Sequence, residues 1–383
     1  MTETPSCYLP SKQRYAILDG LRGVAAMIVV MFHLFETYSK GPAFQIVNHG
    51  YLAVDFFFVL SGFVIGYAYD DRWNKMSLKD FFKRRLVRLH PMVVMGTLIG
   101  ALLFFLGDCP AFPGIAATPW WKLLIVTVLG ALLIPTKGSL DIRGWNESYS
   151  LNGPAWTLMW EYVGNFLYAT IVRHFNKLAL GILVCASAFL TLNLTLNWDV
   201  FGLFTDRTAA AYTVIGGWNL DPDQILIAVT RLFYPFFAGL LLSRVNKLIT
   251  LKGGFWWCAL LIAVILVMPR LGGSLANGIY EAFCIIVMFP LIVSIGAGSN
   301  IQGKKSAAVC EFLGGVSFPL YITHYPLIYL QINWASSHQG APLGTHILVG
   351  VSIFILAVLI AVASYKLYDI PLRAKLKERF LVR

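Results

Sequence analysis

Apolar and polar positions alternate along this chain in long blocks. Apolar runs lie near 18–38, 51–69, 91–107, 154–172, 178–195, 225–242, 255–269, 276–296, 311–331 and 346–367. Each approaches or exceeds the length a helix needs to cross a hydrocarbon core of about 30 Å. A further run, 120–134, is short. The short polar stretches between runs carry Gly, Pro and basic residues. The pattern predicts an all-α integral membrane protein, a bundle of about ten transmembrane helices in a single domain over 1–383.

Composition supports that class. Hydrophobic residues make up 58% of the 383 positions and charged residues 13%, about half the charge of a soluble domain. Mean hydropathy is +0.69. The first apolar run continues into a full span, so no cleavable signal peptide is expected.

The positions of the basic residues set the expected orientation. If 120–134 stays out of the membrane, one side receives Lys12, Arg14, Arg22, the 72–88 cluster, Arg173, Lys177, Arg244, Lys247, Lys252, Lys304, Lys305 and the tail from Lys366 to Arg383. The other side keeps Lys40, Lys122, Lys137, Arg143, Arg207 and Arg270. A crossing at 120–134 would invert every later loop and erase the bias. The reading is therefore a re-entrant or surface helix there, both termini cytoplasmic, a cytoplasmic segment 1–17, a basic cytoplasmic tail 368–383, and external loops at 39–50, 108–153 and 196–224. The second and third loops are long and aromatic, as covers over an outward-facing site are.

The net charge of +11 is spread among loops rather than gathered into a basic stripe with interleaved aromatics, which argues against nucleic acid. Six cysteines without a C-x-x-C pair argue against a disulfide framework and a zinc site; no metal is expected. There is no Walker loop, no dinucleotide-type glycine fingerprint, no H-E-x-x-H and no G-x-S-x-G.

Ionisable groups inside a membrane cost roughly 2.5–3.5 kcal/mol each and are functional candidates. Here they are Arg22, His33, Asp55, Glu161, Arg231, Glu281 and His324. Arg22 and His33 are eleven residues apart on the first span, so they share a face about 16 Å apart along the axis. An elongated ligand with an anionic head at Arg22 and a reactive tip at His33 fits that face. The competing structural reading makes Arg22 a snorkelling anchor and His33 a core histidine. Glu161 lies at a depth comparable with His33, where a carboxylate orients a general-base imidazole; its structural alternative is a bond to a neighbouring helix. Asp55 and His324 reach the same outer half, and Arg231 is a further candidate facing the same cavity. Glu281 has no assigned role. Lys83, Arg84, Arg85 and Arg88, expected in a cytoplasmic loop before His90-Pro91, suit phosphates geometrically, with anionic lipid as the competing ligand. Ser61-Gly62 reads as helix packing.

Five blocks in this order resemble the bacterial membrane acyltransferases called acyltransferase family 3. They are Leu18-Asp19-Gly20-Leu21-Arg22-Gly23 with His33; Val54-Asp55-Phe56-Phe57-Phe58-Val59-Leu60-Ser61-Gly62-Phe63; Phe82-Lys83-Arg84-Arg85-Leu86-Val87-Arg88-Leu89-His90-Pro91; Asn152-Gly153-Pro154-Ala155-Trp156-Thr157-Leu158 with Glu161; and Ser317-Phe318-Pro319-Leu320-Tyr321-Ile322-Thr323-His324. The resemblance implies O-acylation, usually O-acetylation, of surface glycans or small molecules, with acetyl-CoA or another acyl-CoA as donor substrate and no bound cofactor. It implies His33 as the catalytic histidine, Arg22 as a donor-binding residue, and Arg84, Arg85 and Arg88 serving CoA. This chain departs from the family pattern at His90 and at Met159-Trp160.

The expected activity is transfer of an acyl group from cytoplasmic acyl-CoA to a glycan hydroxyl. His33 and Glu161 are its catalytic pair, His33 either deprotonating the acceptor hydroxyl or carrying the acyl group covalently, and Arg22, Arg84, Arg85, Arg88, Asp55, His324 and Arg231 its substrate contacts, in a bacterial inner membrane. The rival is a transporter or flippase in which the buried histidines and carboxylates relay protons. It predicts an internal repeat, and none is evident.

Overall fold

The computed structural model describes residues 12, 14–39, 46–202, 210–271 and 274–381. Cys7, Lys40, Arg207 and Arg383, used in the charge and cysteine readings, lie outside them. The described residues form helices joined by turns and irregular segments, with one isolated bridge, Cys109 to Phe112, among them.

Helices α1 (Ala16–Glu36), α2 (Ala53–Tyr69), α3 (Leu78–Leu102), α4 (Trp120–Ala131), α5 (Ala155–Thr170), α6 (Lys177–Thr195), α7 (Pro222–Val245) and α8 (Gly254–Val267) follow in order. Then come α9 (Leu275–Phe283), a π turn and α10 (Phe289–Gly298); α11 (Gly303–Thr323); α12 (Tyr325–Ser337); and α13 (Leu343–Ala363), a second π turn and α14 (Ile370–Leu381). Among the described residues, eight helices are long and apolar enough to cross a membrane. All eight fall on expected spans. The runs 154–172 and 255–269 form shorter helices, α5 of 16 residues and α8 of 14, about 24 and 21 Å long. The run 120–134 becomes α4, 12 residues and about 18 Å, too short to span.

Two expectations change. The arginine cluster is not in a loop. Ser77 and Asp80 form a capping box at the start of α3, and the helix runs through the cluster and past Pro91 to Leu102. Arg84 and Arg85 each lie within one turn of Arg88 on this helix, and of the three Arg85 and Arg88 line the cavity described below. Nor is 311–331 one helix, because the chain breaks at His324. Pro326 has no N–H, and its ring crowds the carbonyl four residues back, that of Ile322. The freed carbonyl accepts a bond from Asn152 Nδ2 at 2.8 Å. A Cβ on Gly96 would stand 2.4 Å from the same oxygen, so only glycine lets α3 pass this junction.

Packing is tightest where α1 meets α11 and α2 meets α7. At the α2–α7 crossing, a Cβ on Gly62 would fall 1.8 Å from the Phe236 carbonyl, and one on Gly239 2.0 Å from that of Val59. Ser61-Gly62 is indeed a packing element at the glycine.

Contacts gather many basic residues at one end of the bundle. Lys12 pairs with Asp71 at 2.7 Å, Arg244 with Asp70 at 2.8 Å, and Arg173 lies over the ring of Trp73. Arg22 is nearer this end of α1 and His33 nearer the other.

Candidate active site

Arg22 and His33 line two different cavities at opposite ends of α1. The first is basic: Arg14, Arg22, Arg85, Arg88 and Arg373 face it, along with Glu161 and Asp369. The second is lined by His33, Glu36, Glu147, Trp145, Trp156 and Tyr325, among others. Two residues, Val54 and Tyr321, belong to both walls.

In the far cavity, His33 Nδ1 lies 2.7 Å from a Glu36 carboxylate oxygen. A carboxylate only accepts, so Nδ1 carries a proton, and in the neutral ring the lone pair is then on Nε2. Both side chains are partly exposed, 17% and 20%. The His33 ring also packs edge-on against Tyr325, with centroids 4.7 Å apart, and beside His324 at 5.4 Å. This pairing replaces the one expected from depth. Glu161 does not reach His33. It stands in the basic cavity, accepting from Arg85 Nη2 at 2.6 Å and Ser61 Oγ at 2.9 Å. The common depth expected for His33 and Glu161 does not bring them together: Glu161 meets Ser61 and Arg85 in the cavity at the Arg22 end of α1, away from His33.

The other candidates divide in the same way. Arg22, Arg85 and Arg88 line the basic cavity and Arg84 does not. Arg22 is bridged to Asp19 at 3.2 Å, and Arg14 reaches the same carboxylate at 3.2 Å. Asp55 does not face a ligand space. It is fully buried and paired with Arg231, whose Nη2 donates to Asp55 Oδ2 and to the Tyr51 carbonyl, both at 2.7 Å. Arg231 Nη1 also donates to Gly216 O at 3.2 Å, so the pair pins the 215–218 loop, and an edge of Arg231 meets the far cavity. His324 is buried at the α11–α12 break and is not among the cavity residues. Its Nδ1 lies 2.9 Å from Tyr321 O and 3.1 Å from Leu320 O. Glu281 now has a structural account: it accepts from Tyr51 OH at 2.6 Å, Asn277 Nδ2 at 2.7 Å and Val214 N at 2.8 Å, anchoring the loop before Arg231's partner Gly216.

Sequence reasoning missed Glu36, Glu147, Trp145 and Tyr325. Glu36 was detectable, three residues beyond His33 and therefore on its helical face. Glu147 and Trp145 come from the 132–154 connection. Asp141 folds that segment by accepting from the N–H groups of Arg143, Gly144 and Asn146 at 3.0, 3.0 and 2.8 Å. Arg143 then stacks on Tyr329, 3.5 Å from the ring centroid, and Tyr329 OH donates to Glu147 at 2.8 Å. Burial pushes the Glu147 carboxyl up to about 7. Residues 145–147 and 215–218 both reach the cavity wall, so segments expected as long connections do cover the site.

A histidine oriented by a carboxylate, facing a cavity with a basic cavity behind it, is an arrangement suited to acyl transfer. The comparisons agree. The family profile described as an acyltransferase domain matches residues 15–366, and the chain belongs to that family, acyltransferase family 3. It is 34% identical to protein 2 in the picA locus of Rhizobium radiobacter over 168 residues, 41% of this chain and 82% of that one. It is 26% identical to the acyltransferase MdmB of Streptomyces mycarofaciens over 352 residues, 88% of this chain and 83% of that one. It is 23% identical to the O-acetyltransferase OatA of Staphylococcus aureus over 389 residues, 96% of this chain and 58% of that longer protein. No solved structure matches. The protein is a membrane acyltransferase.

Proposed function

We propose that the protein moves an acyl group, acetyl in the first instance, from cytoplasmic acyl-CoA to a hydroxyl of a glycan on or beyond the outer face of a bacterial inner membrane. Both termini and the basic cavity face the cytoplasm, and the His33 cavity faces outward. The observation that carries this reading is the placement of Arg22 and His33 in abutting cavities. Cationic forks suit a CoA phosphate, and a carboxylate-held imidazole suits a hydroxyl.

The basic cavity holds about 160 Å³ and the His33 cavity about 330 Å³. Arg22, Arg85 and Arg88 hold the phosphates, with Glu161 fixing the Arg85 fork. At the thioester, Nε2 of His33 accepts the acceptor's hydroxyl proton as the oxygen attacks the carbonyl carbon. The C–O bond forms, the C–S bond breaks, and the proton passes from His33 to the leaving thiolate. Glu36 stabilises the imidazolium between these steps, as the carboxylate does in hydrolytic triads.

The test uses purified protein in detergent with acyl-labelled acetyl-CoA, following CoA release and label transfer. His33→Ala is expected to abolish release and Arg22→Ala to weaken donor binding. Failure of the wild type to bind or turn over any acyl-CoA would overturn the proposal and favour transport.

A further inference from the structure

The two cavities do not run into each other freely. Val54, in the first turn of α2, and Tyr321, in the last turn of α11, form the wall they share. On the donor reading above, any acyl group travelling from the basic cavity to His33 has to pass these two side chains.

Tyr321 is held across that route by a single polar contact. Its hydroxyl lies 2.9 Å from Thr157 Oγ1. Thr157 sends its own hydroxyl proton to the Pro154 carbonyl, also at 2.9 Å. A hydroxyl has one proton, so the Tyr321 O–H donates to Thr157. The ring also packs edge-on against Phe57, with centroids 5.4 Å apart, and lies tilted beside the His324 ring at 6.1 Å. Tyr321 also stands directly before the Ile322 carbonyl that Pro326 frees from the helix, three residues from the break at His324. A side chain in the body of a helix with several polar partners would be a poor moving part. This one has one bond to release and lies beside a helix break.

We infer that Tyr321 is the gate between donor and acceptor cavities, latched by Thr157, and that Tyr321 with Val54 sets the length of acyl chain that reaches His33. Thr157 is a positioning residue in this scheme. With the latch closed, water and acceptor in the far cavity are kept from the thioester; with it open, the clearance between Val54 and the swung ring admits a short acyl group. The inference rests on acyl-CoA being the donor.

The experiment compares CoA release from acetyl-, butyryl- and hexanoyl-CoA by the full-length protein in detergent. Val54→Ala and Tyr321→Ala are expected to shift the butyryl-to-acetyl ratio toward butyryl by roughly tenfold or more, the scale of a methylene-sized selection in an apolar passage. Thr157→Val keeps the shape of the side chain and removes the latch. It is expected to leave the chain-length ratio near wild type while raising acceptor-independent hydrolysis of acetyl-CoA. Should Tyr321→Ala not fold, Val54→Ala and Thr157→Val carry the test. An unchanged ratio in Val54→Ala together with unchanged hydrolysis in Thr157→Val would overturn the gate. Absence of wild-type turnover on all three donors would overturn the donor reading itself, and the gate with it.

Discussion

Nδ1 of His33 lies 2.7 Å from the carboxylate of Glu36, one turn further along the same helix. Both groups ride on α1, so their geometry is fixed by helix pitch rather than by the docking of separate elements. If His33 is the base, Glu36→Gln leaves the imidazole able to bond an amide but removes the charge that stabilises its protonated form. The expected result is a kcat lower by roughly 10²–10⁴-fold with the KM for acyl-CoA nearly unchanged. Steady-state CoA release separates the two; a change confined to KM would make Glu36 a binding group instead.

Glu161 belongs to the other cavity, and its replacement should read out differently. Arg85 is 4% exposed and Glu161 19%, so Glu161→Ala leaves a nearly buried guanidinium without its charged partner. Because Glu161 is partly wetted, the stability loss is expected below the roughly 3–5 kcal/mol of a broken buried pair, at about 1–3 kcal/mol. The functional effect should fall on donor affinity, since the Arg85 fork loses its anchor. Isothermal titration with CoA and a thermal melt check both; a pure kcat effect would return Glu161 to His33.

These two residues show what the sequence made legible and what it did not. Spacing of Arg22 and His33 on one helix gave a shared face and a separation along the axis, and both survive in the structure. A common depth does not: Glu161 accepts from Ser61 and Arg85 in the cavity at the Arg22 end of α1, away from His33, and groups on four helices can also face four directions. Asp55 turns to Arg231, Glu161 to Arg85, and His324 to the backbone of its own helix end. Azimuth depends on which helices neighbour one another, and a single sequence leaves that open. Two local signals were present and unused: the Ser77–Asp80 cap, which begins α3 before the arginines, and Pro326, which ends α11 early. The loop residues Glu147 and Trp145 were not legible, because Asp141 folds their segment through backbone N–H groups that any sequence carries.

The Asp55–Arg231 pair is expected to be structural. Its side chains are 0% and 2% exposed, and Arg231 spans Asp55, Tyr51 and Gly216. Asp55→Asn strands a buried cation and should destabilise the protein by about 3–5 kcal/mol, seen as a lower Tm in detergent. Replacing both partners by Leu and Met should recover part of that loss. A double variant no better than the single would mean that the loop bonds of Arg231, not the ion pair, hold this region.

Asn152 supplies the donor for a carbonyl that no helix can use. Asn152→Ala leaves Ile322 O buried and unpaired, at an expected cost of about 1–3 kcal/mol. The loss is local to the α11–α12 break, so hydrogen exchange should rise around 320–328 before it rises elsewhere. Uniform exchange across the bundle would show that the break is held by packing instead.

Glu147 makes a pH-dependent contribution whose sign follows from its surroundings. Burial raises its carboxyl from 4.5 to about 7, outweighing the Tyr329 hydrogen bond that lowers it, so the folded protein holds this proton more tightly than the unfolded chain does. By linkage, the folded state binds more protons than the unfolded state between those two values, and stability falls as pH rises there. The contribution is fully present below about pH 4.5 and lost as pH passes about 7. Glu147→Gln cannot ionise, and it keeps an acceptor oxygen for Tyr329. Every other titrating group is common to both proteins, so subtracting their melting curves isolates this one. The wild type should lose more Tm than the variant between pH 4.5 and 7, and above pH 7 the difference should level off. Parallel curves across the window would mean that Glu147 is as well solvated in the folded protein as in the unfolded chain, which its burial argues against.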